Sequence, residues 1–135
     1  VGVSKDFNGF ELRTAIAKHD VEKVNLIVKH KLSDPNSKDM FPMLSLIFGY
    51  FQNLMIAFYA PAPRNASAIM SYLGLSSEWA TKDYVEGMRY YSPMKTLLII
   101  DKIREVEGKL KGLDATANTP KSDLMKELFF FILHD

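Results

Sequence analysis

Apolar residues recur at three- and four-residue spacing through nearly the whole chain, as amphipathic helices require, and no segment sustains the alternation of a strand. The punctuation between the runs is clear. Asn8 followed by Glu11 makes a capping box, with Phe7 and Leu12 placed as a hydrophobic staple, and predicts a short helix to about Lys18. Asp20 caps a second helix in which Val21, Val24, Val28 and Leu32 share a face. The polar turn Ser33-Asp34-Pro35-Asn36-Ser37 follows. A third helix starts near Met40, tolerates Pro42 in its first turn, and meets Pro61-Ala62-Pro63 as its stop. Asn65 caps a small helix bearing Ala66, Ile69, Met70 and Leu73, closed by Gly74. Ser76 or Ser77 opens the next, with Ala80, Tyr84, Met88 and Tyr91 as its apolar seam. Ser92-Pro93 launches the longest amphipathic helix, Gly112 to Asn118 reads as a loop, and Thr119-Pro120 repeats the cap-then-proline signal before the last helix. The expected fold is all-α, a compact bundle of about seven helices in a single domain over residues 1–135.

One run decides the class of molecule. From Met40 to Pro63 there are 24 residues without a charge. A helix of that kind either spans a bilayer or sits inside a protein with neighbours on all sides. Gln52 and Asn53, side by side near its middle, would lack partners in hydrocarbon. The flanks, Lys38 and Asp39 on one side and Arg64 on the other, show no marked excess of positive charge. The pattern favours a central buried helix and no membrane.

Two further helices carry more apolar surface than a small bundle needs. After Pro93, Ile99, Ile103, Val106, Leu110 and Leu113 make one stripe, while Met94, Leu97, Leu98 and Ile100 are apolar around the rest of the first half. The final helix does the same with Leu124, Leu128, Phe129, Phe130, Phe131, Ile132 and Leu133. Helices apolar all round are central or meet another chain. The reading is a helical domain with at least one protein interface; the alternative is a tightly wrapped monomer. Leu97, Leu98, Ile100, Phe129, Phe130 and Leu133 are the candidate contact residues.

Composition narrows the function. The chain is 47% hydrophobic and 24% charged with a net charge of +1, so an electrostatic role needs a local patch. It has no cysteine, which excludes disulfides and thiolate metal sites and fits a reducing, cytoplasmic setting. The opening Val1-Gly2-Val3-Ser4 reads as the interior of a longer protein. His19, His30 and His134 are far apart and form no i, i+4 pair, so no metal or other cofactor is expected. The glycines are scattered, with no G-x-x-x-x-G-K-S/T phosphate loop, and no serine elbow or cysteine nucleophile exists. Asp101, Glu105 and Glu107 interleave with Lys102, Arg104 and Lys109 as a solvated helix face does. Neither a catalytic residue nor a small-molecule substrate is expected.

A different class remains open. Ala66 to Tyr91 has the outline of a helix-turn-helix, with Gly74 in the turn. Its second helix is not basic, since Glu78, Asp83 and Glu86 offset Lys82 and Arg89. Trp79 and Tyr90 fall off the apolar seam beside those cations, where they either stack on unpaired bases or pack on a neighbouring helix. Trp79, Lys82, Arg89 and Tyr90 are the weak nucleic-acid candidates.

The later part of the chain, LGLSSEWATKDYVEGMRYYSPMKTLLIIDKIREVEGKLKGLDATANTPKSDLMKELFFFIL, resembles the C-terminal region of the delta subunit of bacterial DNA polymerase III. Leu73-Gly74 stands for that family's short hairpin, Tyr90-Tyr91 for its aromatic-ending helix, and Met94 to Leu110 for its long helix. Lys111-Gly112 matches the loop, and Leu124 to Leu133 the terminal helix. The stretch SKDFNGFELRTAIAKHDVEKVNLIVKH looks like the family's entry into the same domain, with Phe10, Leu12, Ala15 and Asp20 in the pattern Phe-x-Leu-x-x-Ala-x-x-x-x-Asp. The resemblance covers nearly the whole chain and rests on the order of several weak motifs. It implies the collar domain of a clamp-loader subunit, without the ATPase-like module that binds and opens the sliding clamp. The implied partners are the other loader subunits, on two sides, with DNA contacted weakly or indirectly. The parent complex would be the DNA polymerase holoenzyme. Ser76 to Lys82 departs from the family pattern, which puts a nucleic-acid role for Trp79 in doubt.

Overall fold

The computed structural model describes residues 9–34, 38–61, 64–112 and 120–134. They form α1 (Gly9–Ala17), α2 (Val21–Leu32), α3 (Met40–Ala57), α4 (Ala66–Leu73), α5 (Glu78–Tyr90), α6 (Pro93–Leu110) and α7 (Lys121–Leu133), with no strand among the described residues. The all-α bundle of seven helices agrees with the sequence pattern.

Helix starts follow from side-chain caps. Asp20, Asn65, Ser77 and Ser92 each accept a hydrogen bond from a backbone N–H in the first turn of the helix that follows. Ser77, not Ser76, is therefore the cap of α5. Pro93 occupies the first turn of α6, where its missing N–H costs nothing. Pro120 stands one place earlier than expected, at the N-cap of α7, so Lys121 opens that helix. At the end of α4, Gly74 takes a left-handed conformation (φ 68°) and Leu75 N–H closes onto Met70 O at 2.9 Å. The capping box at Asn8, the staple at Phe7, the Ala62-Pro63 stop, Leu113 and the loop to Asn118 lie outside the described residues.

α3 ends earlier than the proline-rich segment suggests. Tyr59 and Ala60 donate to Ile56 O and Ala57 O, so the helix tightens and stops at Ala57. Ala60 precedes Pro61, whose ring disfavours the α conformation at the residue before it. α3 packs against α1, α4, α5 and α6, and buries Met43, Leu44, Ile47, Tyr50, Phe51, Leu54 and Ala57. Its opposite side is open: Phe41, Ser45, Gln52 and Ile56 are exposed. The expectation of neighbours on all sides is thus corrected. Among the described residues α3 is the one helix long and apolar enough to cross a membrane by length and composition, and 39% of it is buried inside the bundle. Gln52 reaches solvent, and the Asn53 amide donates to Tyr84 Oη at 3.1 Å.

Several polar groups sealed into the core are paired across helices. Tyr50 Oη donates to Asp83 O and Tyr91 Oη to Ile16 O, both at 2.7 Å, tying α3 to α5 and the end of α5 to α1. Burial pushes both hydroxyls above their ordinary ionisation range; at Tyr50, the neighbouring Tyr91, Asp83 and Tyr84 add to it. Arg13 on α1 meets the Asp83 carboxylate at 2.8 Å, and Thr14 Oγ1 donates to the same oxygen. The seam of α5 is accordingly shifted. Thr81, Asp83, Tyr84 and Gly87 are buried, whereas Ala80 and Met88 are only half-buried.

Candidate subunit interface

α6 lies between α3 and α7 and is gripped by both. The α6–α7 pairing is antiparallel, because Lys95 in the first turn of α6 reaches the last turn of α7. Its Nζ donates to Phe131 O at 2.7 Å and to His134 O at 2.8 Å, satisfying carbonyls that the helix end leaves free. The same ammonium lies 4.1 Å from the centre of the Phe131 ring, and Lys102 lies 6.0 Å from it. Leu98 sits on the helix surface between those two lysines, at i+3 from one and i−4 from the other, so it lies at the level of Phe131 along α6.

Among the described residues nothing covers the outward ridge of α6. Met94 is 64% exposed, Leu97 43%, Leu98 45%, and on α7 Phe130 is 65% exposed. Met94, Leu97, Leu98, Asp101 and Glu105 follow i, i+3, i+4, i+7 and i+11, so they share one face. Beside the ridge runs an open groove of about 600 Å³ between α6 and α7, lined by Lys102, Lys126, Glu127, Phe130, Phe131 and His134. Phe130 stacks on His134 with ring centres 4.3 Å apart. On the ridge, Glu105 is held below its ordinary carboxylate range by a hydrogen bond from Lys102 and then by the charge of that lysine.

Of the six expected contact residues, three (Leu97, Leu98 and Phe130) are exposed, and Ile100 is half-buried against the core. Phe129 and Leu133 are not available to a partner. At 1% and 3% exposure they pack inward, because α7 uses Leu124, Leu128, Phe129, Ile132 and Leu133 to close its own bundle. A helix that is apolar all round has no sequence signal for which side faces home. Met94 joins the exposed set, and a second uncharged strip, Phe41 to Ile56 on α3, was hidden by the uniform apolarity of that helix.

The nucleic-acid candidates are spread along α5. Trp79 is exposed and meets Phe10 edge to face, ring centres 5.0 Å apart, with the Arg13 guanidinium against both rings. Tyr90 stacks on His19 at 5.7 Å. Arg89 is bound to Glu86 at 3.1 Å, and Lys82 is exposed. Trp79 and Tyr90 stand eleven residues apart, about 16 Å along the helix. They pack on α1 at its two ends and do not converge on one site.

The class these features define is an all-helical domain with an uncovered apolar ridge. Comparison with protein-family models, with curated proteins and with solved structures returned no match.

Proposed function

We propose that this chain is a subunit-assembly domain, the collar of a clamp-loader delta subunit, acting in the cytoplasm in loading the sliding clamp onto primed DNA. The observation that carries the reading is the exposed ridge Met94, Leu97 and Leu98 with Phe130 beside it. An apolar cluster of this size on a small helical domain marks an interaction surface. The order of motifs along the chain, from Phe10 to Leu133, supports the choice of partner. In this reading the domain does no chemistry; it holds neighbouring subunits in place while ATP-driven parts move elsewhere.

The test is light scattering on a size-exclusion column, with this chain alone and mixed with the helical C-terminal domains of the other loader subunits. A stable mixed complex is expected, and Leu98→Ala or Phe130→Ala should weaken it by about 2–4 kcal/mol if either is a hot spot. No complex with any loader subunit, whether as isolated domains or full chains, overturns the reading. The DNA-binding alternative has a separate readout. Titration of primed and single-stranded DNA at two salt concentrations should show weak binding or none, whereas a steep salt dependence would favour that alternative. The outer face of α5 sets Glu78 and Glu86 against Lys82 and Arg89, which leaves it no cationic excess.

A further inference from the structure

We propose that the α6–α7 face binds a second copy of this chain around a two-fold axis running alongside α6. The ridge and the groove stand side by side on one face, and a two-fold interface needs that arrangement: each copy offers the feature the other receives. The ridge is Met94, Leu97 and Leu98; the receiving groove is floored by Phe130 and Phe131. With the axis along α6, the two α6 helices lie parallel and at the same level, so Leu98 of one copy enters beside Phe131 of the other.

Charge fits the same placement. Phe131 stands opposite Leu98 and α7 runs antiparallel to α6, so Lys126, five residues earlier on α7, lies near the level of Asp101 to Ile103. Lys126 and Asp101 are both exposed, and neither forms an ion pair among the described residues. Glu127 lines the same groove, where Lys102 and Lys126 outweigh it, opposite a ridge that carries Asp101 and Glu105. The two-fold brings Asp101 of each copy to Lys126 of the other, twice. Area agrees as well. The four exposed side chains offer on the order of 400 Å² of apolar surface, the apolar share of the roughly 800 Å² each partner buries in a standard interface. This inference shares its face with the collar reading and does not rest on it.

Sedimentation of the chain across a concentration series tests it. The expected result is a reversible shift from 15.4 kDa to twice that mass. Asp101→Lys and Lys126→Glu should each weaken the dimer about tenfold by setting like charges together, and the double variant should restore it. Both positions are exposed, so circular dichroism should report an unchanged fold. A chain that stays monomeric at about 0.5 mM overturns the proposal. So does a dimer indifferent to both single reversals, since it must then use another face. A mixed complex with loader domains but no self-pairing leaves the collar reading standing alone. Self-pairing without a mixed complex does the reverse.

Discussion

Gly87 and Tyr50 bring two helices close enough together to yield a sharp prediction. Gly87 lies in α5 with the Tyr50 side chain of α3 laid directly over its Cα. A Cβ there would collide with the Tyr50 hydroxyl and press on the ring carbon behind it, 3.2 Å away. That hydroxyl is buried and donates to Asp83 O at 2.7 Å. In Gly87→Ala the ring must move, so overpacking costs about 1–3 kcal/mol. The displaced hydroxyl loses its acceptor, which adds about 1–3 kcal/mol. Alanine's better helix propensity returns about 1 kcal/mol. The net expectation is a loss of about 1–5 kcal/mol, centred on about 3, or a melting temperature lower by about 10 °C for a domain of this size. Tyr50→Phe alone removes one hydrogen bond and should cost about 1 kcal/mol. It also removes the atom in the way. In the Tyr50→Phe background, Gly87→Ala should therefore cost at least about 1.5 kcal/mol less than in the wild type, a coupling within the usual range for residues in contact. Urea unfolding of the four proteins measures it. Equal losses in both backgrounds would refute the idea that Gly87 is there to admit the Tyr50 hydroxyl.

Other expectations follow from the buried polar groups and the helix ends. Arg13→Met strands the Asp83 carboxylate in the α1–α5 seam and should cost about 3 kcal/mol in chemical denaturation, most of it recovered by adding Asp83→Leu. Tyr50 and Tyr91 ionise above their ordinary range when folded, so the unfolded chain loses those protons first. Their contribution is complete below about pH 10 and falls as pH rises toward the folded values, by about 1.4 kcal/mol per unit for each. Tyr91→Phe should flatten the decline in unfolding free energy measured from about pH 9 to 12. Lys95→Met uncaps α7 and should cost about 1–2 kcal/mol, with faster amide exchange confined to the last turn of that helix. Unchanged exchange at Phe130 to His134 would count against the cap.

Much of this architecture is legible in the chain alone. Helix number, order and most starts are local properties: Asp20, Asn65, Ser77 and Ser92 cap through side chains that reach only three residues along, and Gly74 ends α4 because glycine takes φ 68° without strain. The stripe Ile99, Ile103, Val106 and Leu110 names the buried side of α6, since polar residues occupy most of the remainder of that helix's second half. In that half of α6 periodicity is sufficient, whereas on α5 it misplaces the buried seam.

Where a helix is apolar all round, periodicity carries no phase, and only packing decides. α7 turns Phe129 inward and Phe130 outward although the two are chemically identical neighbours. The choice depends on where α2 and α6 lie across the bundle. α3 likewise hides Met43 and Leu54 and shows Phe41 and Ile56, which no count of its residues distinguishes. Lys31 and Asp83 are charged residues on amphipathic helices, yet both are buried beside an opposite charge from another segment. The sequence by itself determined the helices, because their caps and turns act over three or four residues. The tertiary structure decided which apolar face is left for a partner, because that depends on contacts between segments as far apart as Arg13 and Asp83.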